Sequence, residues 1–189
     1  MTSTFFHKKT GLKPLITLII ALNLIIWTPS LLLPQEKLLT WEVYFSPNGG
    51  STDAIVRELD KAQNTVLVQA YSFTSYRIAK ALLDAHKRGV KVEIVLDKSQ
   101  RGDQYSSADF LANSGMSVKI DSQHAIAHNK VMIIDGETVI TGSFNFTKAA
   151  EENNAENVIV IHDKKLAERY TKNWQEHAQH SEVYVGKGK

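Results

Sequence analysis

From Trp41 onward the chain alternates between two hydrophobic periods. Short runs rich in β-branched and aromatic residues, "WEVYFS" (41–46), "TVLVQAYSF" (65–73), "VKVEIVLD" (90–97), "SVKI" (117–120) and "ENVIVIH" (156–162), predict strands. Between and after them, "TDAIVRELDKAQ" (52–63), "YRIAKALLDAHKRG" (76–89), "SSADFLANSG" (106–115) and "DKKLAERYTKNWQEHAQ" (163–179) carry apolar residues at helical spacing. Ser51 or Thr52 is the expected cap of the first helix, while Gly89 and Gly115 end the second and third. The β-α-β-α order predicts an α/β sandwich, a mixed sheet flanked by helices.

Asp135-Gly136, between the apolar runs "KVMII" and "TVITG", predicts a hairpin, because a type I′ turn needs positive φ at both central residues. A two-residue loop puts Lys130 opposite Thr141 and His128 opposite Ser143. A loop two residues longer puts them opposite Ser143 and Asn145. In either register His128 and Lys130 share one face and meet Ser143 and Asn145 across the pair, with Phe144 and Phe146 turned to the core. Asp135 lies in the turn, at odd spacing from His128, and is expected to serve the turn or an ion pair rather than act as a base.

An imidazole, an ammonium, a hydroxyl and a carboxamide in one patch suit phosphoryl transfer. Lys130 and Asn145 would hold non-bridging oxygens while His128 attacks phosphorus or protonates the leaving oxygen. Each residue alone has an ordinary explanation. The joint pattern H-x-K-x₄-D-x₆-G-S-x-N does not, since at roughly 5% per position it arises by chance on the order of once per 10⁸ start points.

Charge and composition narrow the picture further. The formal charge is +2, yet residues 38–189 hold 18 basic and 19 acidic side chains, so this part is near neutral. A local basic excess between Arg77 and Arg101 would attract polyanions, although a solvated helix face explains it equally well. No cysteine occurs, which excludes disulfides, thiolate metal sites and a Cys nucleophile. The seven histidines show no HExxH-like spacing, so no metal site is expected.

"PLITLIIALNLIIWTPSLLLPQ" (14–35) has no charge and follows Lys8, Lys9 and Lys13, close to the roughly 20 apolar residues that span a bilayer. Residues 1–37 are therefore expected to be a signal peptide or membrane anchor, and residues 38–185 a single catalytic domain. The basic flank places that domain across the membrane, on the periplasmic or extracellular side in a bacterium.

His128, Lys130, Asp135, Gly142, Ser143 and Asn145 resemble the HKD motif of the phospholipase D superfamily without departure. The resemblance extends from about Trp41 to His177, and "YFSP", "AYSFT", "KRGVKVEIVLD", "ANSG" and "TGSFNFTKAAEENNAEN" are similar to its small single-motif bacterial branch, the Nuc-type endonucleases. It implies a phospholipase D-like fold and a site where two HKD motifs meet, needing neither metal nor cofactor. One His would form a phosphohistidine, and the other would protonate the leaving group and then activate water. Lys130 and Asn145 would bind phosphate oxygens, Ser143 would add a hydrogen bond, and Glu156 would orient the imidazole of His128. Asp135 and Gly142 would be structural members of the motif.

One complete motif is present, since His7-Lys8-Lys9 and His162-Asp163-Lys164 lack what should follow. A homodimer sharing one site is therefore implied. His124 is read as a loop residue. Three functions follow in order: a non-specific endonuclease on DNA or RNA, a phospholipase D acting on phospholipid headgroups, and a catalytically idle binding or scaffold protein.

Overall fold

The computed structural model describes Met1, Thr2 and residues 39–187. The apolar segment 14–35, expected to be a signal or anchor, lies outside the described residues. Among the described residues, no helix is long and apolar enough to cross a membrane.

Eight strands form one mixed sheet in the order β1-β7-β6-β5-β2-β3-β4-β8. They are β1 (Thr40–Ser46), β2 (Thr65–Ala70), β3 (Lys91–Asp97), β4 (Ser117–Asp121), β5 (Lys130–Ile134), β6 (Thr138–Gly142), β7 (Glu156–His162) and β8 (Glu182–Val183). The β2/β3 and β3/β4 pairs are parallel, and the others are antiparallel. Helices α1 (Ser51–Lys61), α2 (Tyr76–Lys87) and α3 (Ala108–Asn113) follow β1, β2 and β3, α4 (Lys148–Glu152) precedes β7, and α5 (Lys164–His180) follows it.

Both faces of the central strands are apolar and covered, which is why these strands read as near-continuous hydrophobic runs. Ile55, Leu59, Ile78, Leu82 and Leu111 pack with Val66, Val68, Ile94, Met132 and Ile140 in the larger core. Val95, Val131, Ile133 and Val139 pack with Ala167, Trp174 and Ala178 of α5 in the smaller one.

Two local expectations need correction. Ser51 and Thr52 lie within the first turn of α1, whose N-cap is Gly50 with no side-chain cap of its own. The cap is non-local: the Glu151 carboxylate accepts from Gly50 N at 3.2 Å and Thr52 N at 2.7 Å. Such an arrangement satisfies orphan donors and places an anion at the positive helix end.

The hairpin has the expected turn but neither expected register. Asp135 and Gly136 have φ of 54° and 65°, and Glu137 N donates to Ile134 O at 3.0 Å. Ile134 nevertheless pairs with Thr138 and Met132 with Ile140, so Glu137 is an extra residue. With both faces buried, the hydrophobic pattern does not distinguish these registers by polarity. Volume and packing decide, putting Met132 with Ile140 in one core and Ile133 with Val139 in the other.

Candidate active site

The carboxyl ends of β1, β2, β3, β4 and β6 and the amino ends of β5 and β7 lie along one edge of the sheet, as the pairs Ser46↔Glu156, Ala70↔Lys130, Asp97↔Asp121 and Gly142↔Val158 require. Loops at such an edge are where open α/β sheets place ligand-binding groups. His128, Lys130, Ser143, Asn145 and Glu156 all fall there.

His128 is exposed, on the segment entering β5. Backbone bonds hold that segment: the buried Asp97 carboxylate accepts from Ala127 N at 2.7 Å, and Asn129 O accepts from Tyr71 N at 2.8 Å. The Tyr71 ring lies 4.6 Å from the imidazole, centroid to centroid, and 5.1 Å from the Lys130 ammonium. Tyr71 is thus a site residue that sequence reasoning missed; its one signal was its position directly after the carboxyl end of β2.

Lys130 is only 6% exposed. Its Nζ donates to His128 O at 3.0 Å, and among the described residues no carboxylate forms an ion pair with it. Burial pushes its pKa below the ordinary lysine value, and the field of Glu156 partly offsets that push. A buried ammonium with one of three donors used is arranged to receive an anion.

Ser143 and Asn145 follow β6 through a bulge. Ser143 N and Phe144 N both donate to Asn157 O, at 3.1 and 3.2 Å, so two residues oppose one. Phe144 and Phe146 are buried in the larger core, which fixes the strand's exit. Ser143 Oγ accepts from Asn157 N at 3.1 Å and Asn157 Nδ2 at 3.3 Å. Asn145 Oδ1 is buried without a partner, an unmet hydrogen-bonding capacity beside the lysine-bearing edge.

Glu156, expected to orient His128, makes no hydrogen bond to it among the described residues. Its Oε1 accepts from Asn154 Nδ2 at 3.3 Å, and its charge acts on Lys130.

The motif's other members are structural. Asp135 accepts from Gln63 N (2.9 Å), Asn64 N (2.7 Å) and Thr65 N (2.9 Å), closing the loop from α1 into β2. Asp135→Ala is expected to lower the unfolding free energy by roughly 2–3 kcal/mol, because three amides lose a charged acceptor. A shifted urea midpoint at unchanged slope, with activity falling only as the folded fraction falls, checks this. Gly142 has φ 149°, and a Cβ there would overlap the carbonyl oxygen of Asn157. Gly142→Ala is expected to cost roughly 1–3 kcal/mol in the same measurement.

The basic stretch from 77 to 101 is largely self-neutralised. Arg77, Lys80, Lys91 and Arg101 pair with Asp53, Asp84, Glu93 and Glu182, and Arg88 donates to the carbonyls of Leu59 and Ala62. Lys98 donates to His124 O at 3.0 Å. His124 is in a loop, as expected, but its Nδ1 approaches Asp121, as do nitrogens of His177 and His180. The missed signal was paired i, i+3 spacing, Asp121 with His124 and His177 with His180.

Fold and site together define an α/β protein of the HKD class. A family profile described as "Cardiolipin synthase, PLD-like domain" matches residues 55–178. The chain belongs to the phospholipase D superfamily. The "Phospholipase D" of Rickettsia conorii is 48% identical over 130 residues, covering 69% of this chain and 65% of that protein. A mitochondrial cardiolipin hydrolase of Chlamydomonas reinhardtii is 37% identical over 108 residues, covering 57% and 48%. The match thus spans less than two thirds of the length of these relatives. A solved structure of a phospholipase D family member, Nuc from Salmonella typhimurium, aligns with TM-score 0.76 and 41% identity, covering 79% of this chain and 100% of that one.

Proposed function

We infer that this chain is a phosphodiesterase that cleaves its substrate through a phosphohistidine, with no metal in the reaction, and that the substrate is DNA or RNA cut without sequence preference. The observation that carries this reading is Lys130, a buried ammonium with no carboxylate partner among the described residues, next to the exposed imidazole of His128. A phosphate diester supplies the missing anion. Asn145 would meet the same group through its Nδ2 hydrogens, since its unpaired buried Oδ1 is an acceptor and does not bind a phosphate oxygen.

In the reaction a His128 nitrogen attacks phosphorus, the bond to the leaving oxygen breaks, and a second imidazole delivers the proton. That imidazole then takes a proton from water, whose oxygen displaces His128. With one motif per chain, the second imidazole is the partner's His128 in a homodimer. An apolar stripe supports the pairing: Trp41, Val43 and Phe45 are exposed along edge strand β1, opposite Ile161, Ile159 and Asn157 of β7. Asn157 is the residue that holds Ser143, so this apolar stripe leads to the site.

An open site with an exposed nucleophile suits a long polymer, and the similarity to Nuc covers that whole chain. A second reading is a phospholipase D acting on headgroups, favoured by exposed Ile126 two residues before His128 and by the Rickettsia relatives' name. The apolar segment 14–35 supports an exported or membrane-anchored enzyme acting outside the cytoplasm.

The test uses the full chain in detergent, with plasmid DNA, RNA and phosphatidylcholine vesicles, in EDTA and well below the unfolding temperature. Nicking of nucleic acid without choline release is expected. Choline release without nicking moves the function to the second reading, and cleavage that requires added magnesium rejects the metal-free mechanism.

A further inference from the structure

We propose that Asp121, His124, His177 and His180 form a structural zinc site that ties the end of α5 to the loop carrying His128. This site is separate from the phosphate-binding residues and takes no part in the bond cleavage described above.

Three elements supply the donors: Asp121 ends β4, His124 lies in the loop that follows, and His177 and His180 sit on the last turn of α5. Their candidate ligand atoms all lie within 4.8 Å of one another. A tetrahedral zinc site with Zn–N of about 2.0 Å has ligand–ligand edges of roughly 3.3 Å, so closure needs only small side-chain adjustments. Three imidazoles and one carboxylate are a donor set for zinc or a neighbouring first-row ion, and four protein ligands leave no open position for catalysis.

Hydrogen bonding alone accounts poorly for the cluster. Nδ1 of His177, Nδ1 of His124 and Nε2 of His180 converge on the single oxygen Oδ2 of Asp121, at 2.8, 3.0 and 3.2 Å. One carboxylate oxygen does not accept three such donors with good geometry. His180 Nε2 is accordingly buried without a hydrogen-bond partner. The rings crowd, with centroids 4.8, 5.3 and 5.4 Å apart, a spacing that charged imidazoliums would resist. A cation at the centre converts this convergence into coordination.

Exposure is graded as an entry path requires: the side chain of Asp121 is 0% exposed, His177 14%, His180 24% and His124 46%. Supporting contacts orient the ligands. Gln123 N donates to Asp121 Oδ1 at 3.1 Å, and the adjoining Asp97 carboxylate is engaged by Ser99 N and Ala127 N.

The experiment is titration of zinc chloride into the untagged, chelator-stripped full chain, read by calorimetry, by the visible spectrum of a cobalt(II)-substituted sample, and by thermal melting. One equivalent per chain, the intense absorption of tetrahedral cobalt, and a rise in Tm of roughly 5–10 °C at a hundredfold excess over Kd are expected. His180→Ala and the more exposed His124→Ala are expected to weaken binding at least about 100-fold, with an unchanged far-ultraviolet spectrum showing that they fold. His128→Ala and His162→Ala should bind as the parent does. Absence of stoichiometric binding, binding indifferent to His124 and His180, or loss on His128→Ala would each overturn the proposal. No readout depends on activity, so failure of the phosphodiesterase reading is seen separately.

Discussion

His128→Ala is expected to lower phosphodiester cleavage at least about 10⁴-fold, as removal of a nucleophile does elsewhere, while shifting Tm little. The exposed imidazole contributes no core packing, and its segment is held by the backbone bonds to Asp97 and Tyr71, which the substitution leaves intact. Protomer mixing sharpens the test. If two chains contribute one imidazole each to a single site, only dimers with two parental chains are active. A fully exchanged equimolar mixture should then retain about one quarter of the activity, whereas independent sites would retain about one half. A linear dependence on parental fraction would reject the shared site even if His128 proves essential.

Lys130→Met is expected to lower kcat/KM by about 10²–10³-fold and, at the same time, to raise stability by about 1 kcal/mol. The two effects share one cause. An ammonium 6% exposed and without an ion-pair partner among the described residues is costly in the empty protein and favourable when a phosphate arrives. The pH dependence identifies the cause. With its folded-state pKa lowered by burial, Lys130 binds fewer protons in the folded chain than in the unfolded chain between that value and the ordinary one near about 10.4. Unfolding free energy therefore rises with pH across that window, and in the variant this rise is absent. Urea titrations on both sides of the window measure it; a parallel rise in the variant would assign it to another group.

Much of this architecture was legible locally. The strand runs and helices α1, α2 and α5 are where hydrophobic period puts them, and Gly89 and Gly115 have the positive φ expected of helix ends. What escaped was non-local or too short. Helix α4 has five residues and strand β8 two, too few to repeat a helical or strand period even twice. The cap of α1 comes from Glu151, about a hundred positions away in the chain. Hairpin register depended on Glu137 and on the bulge at Ser143 and Phe144, where neighbouring alternatives bury equally apolar side chains.

The HKD residues were visible as a pattern because their spacing is rigid, whereas Tyr71 and Asn157 were not, since their roles arise from strand neighbours. The histidine cluster divides the same way. Each half has helical or turn spacing in the sequence, but only the packing of α5 on β4 brings the halves into one place.

Asp135 changes what the motif means for anyone screening variants of this chain. It lies five positions along the chain from Lys130, a span of roughly 17 Å, so members of one sequence signature sit at opposite rims of the sheet. A plate assay that records only lost cleavage would group Asp135 with His128, although one lesion removes the reacting atom and the other loosens the joint between α1 and β2. Scores corrected for soluble yield would separate them. The Asp135 lesion should then respond to lower growth temperature or to a stabilising second substitution, and the His128 lesion to neither.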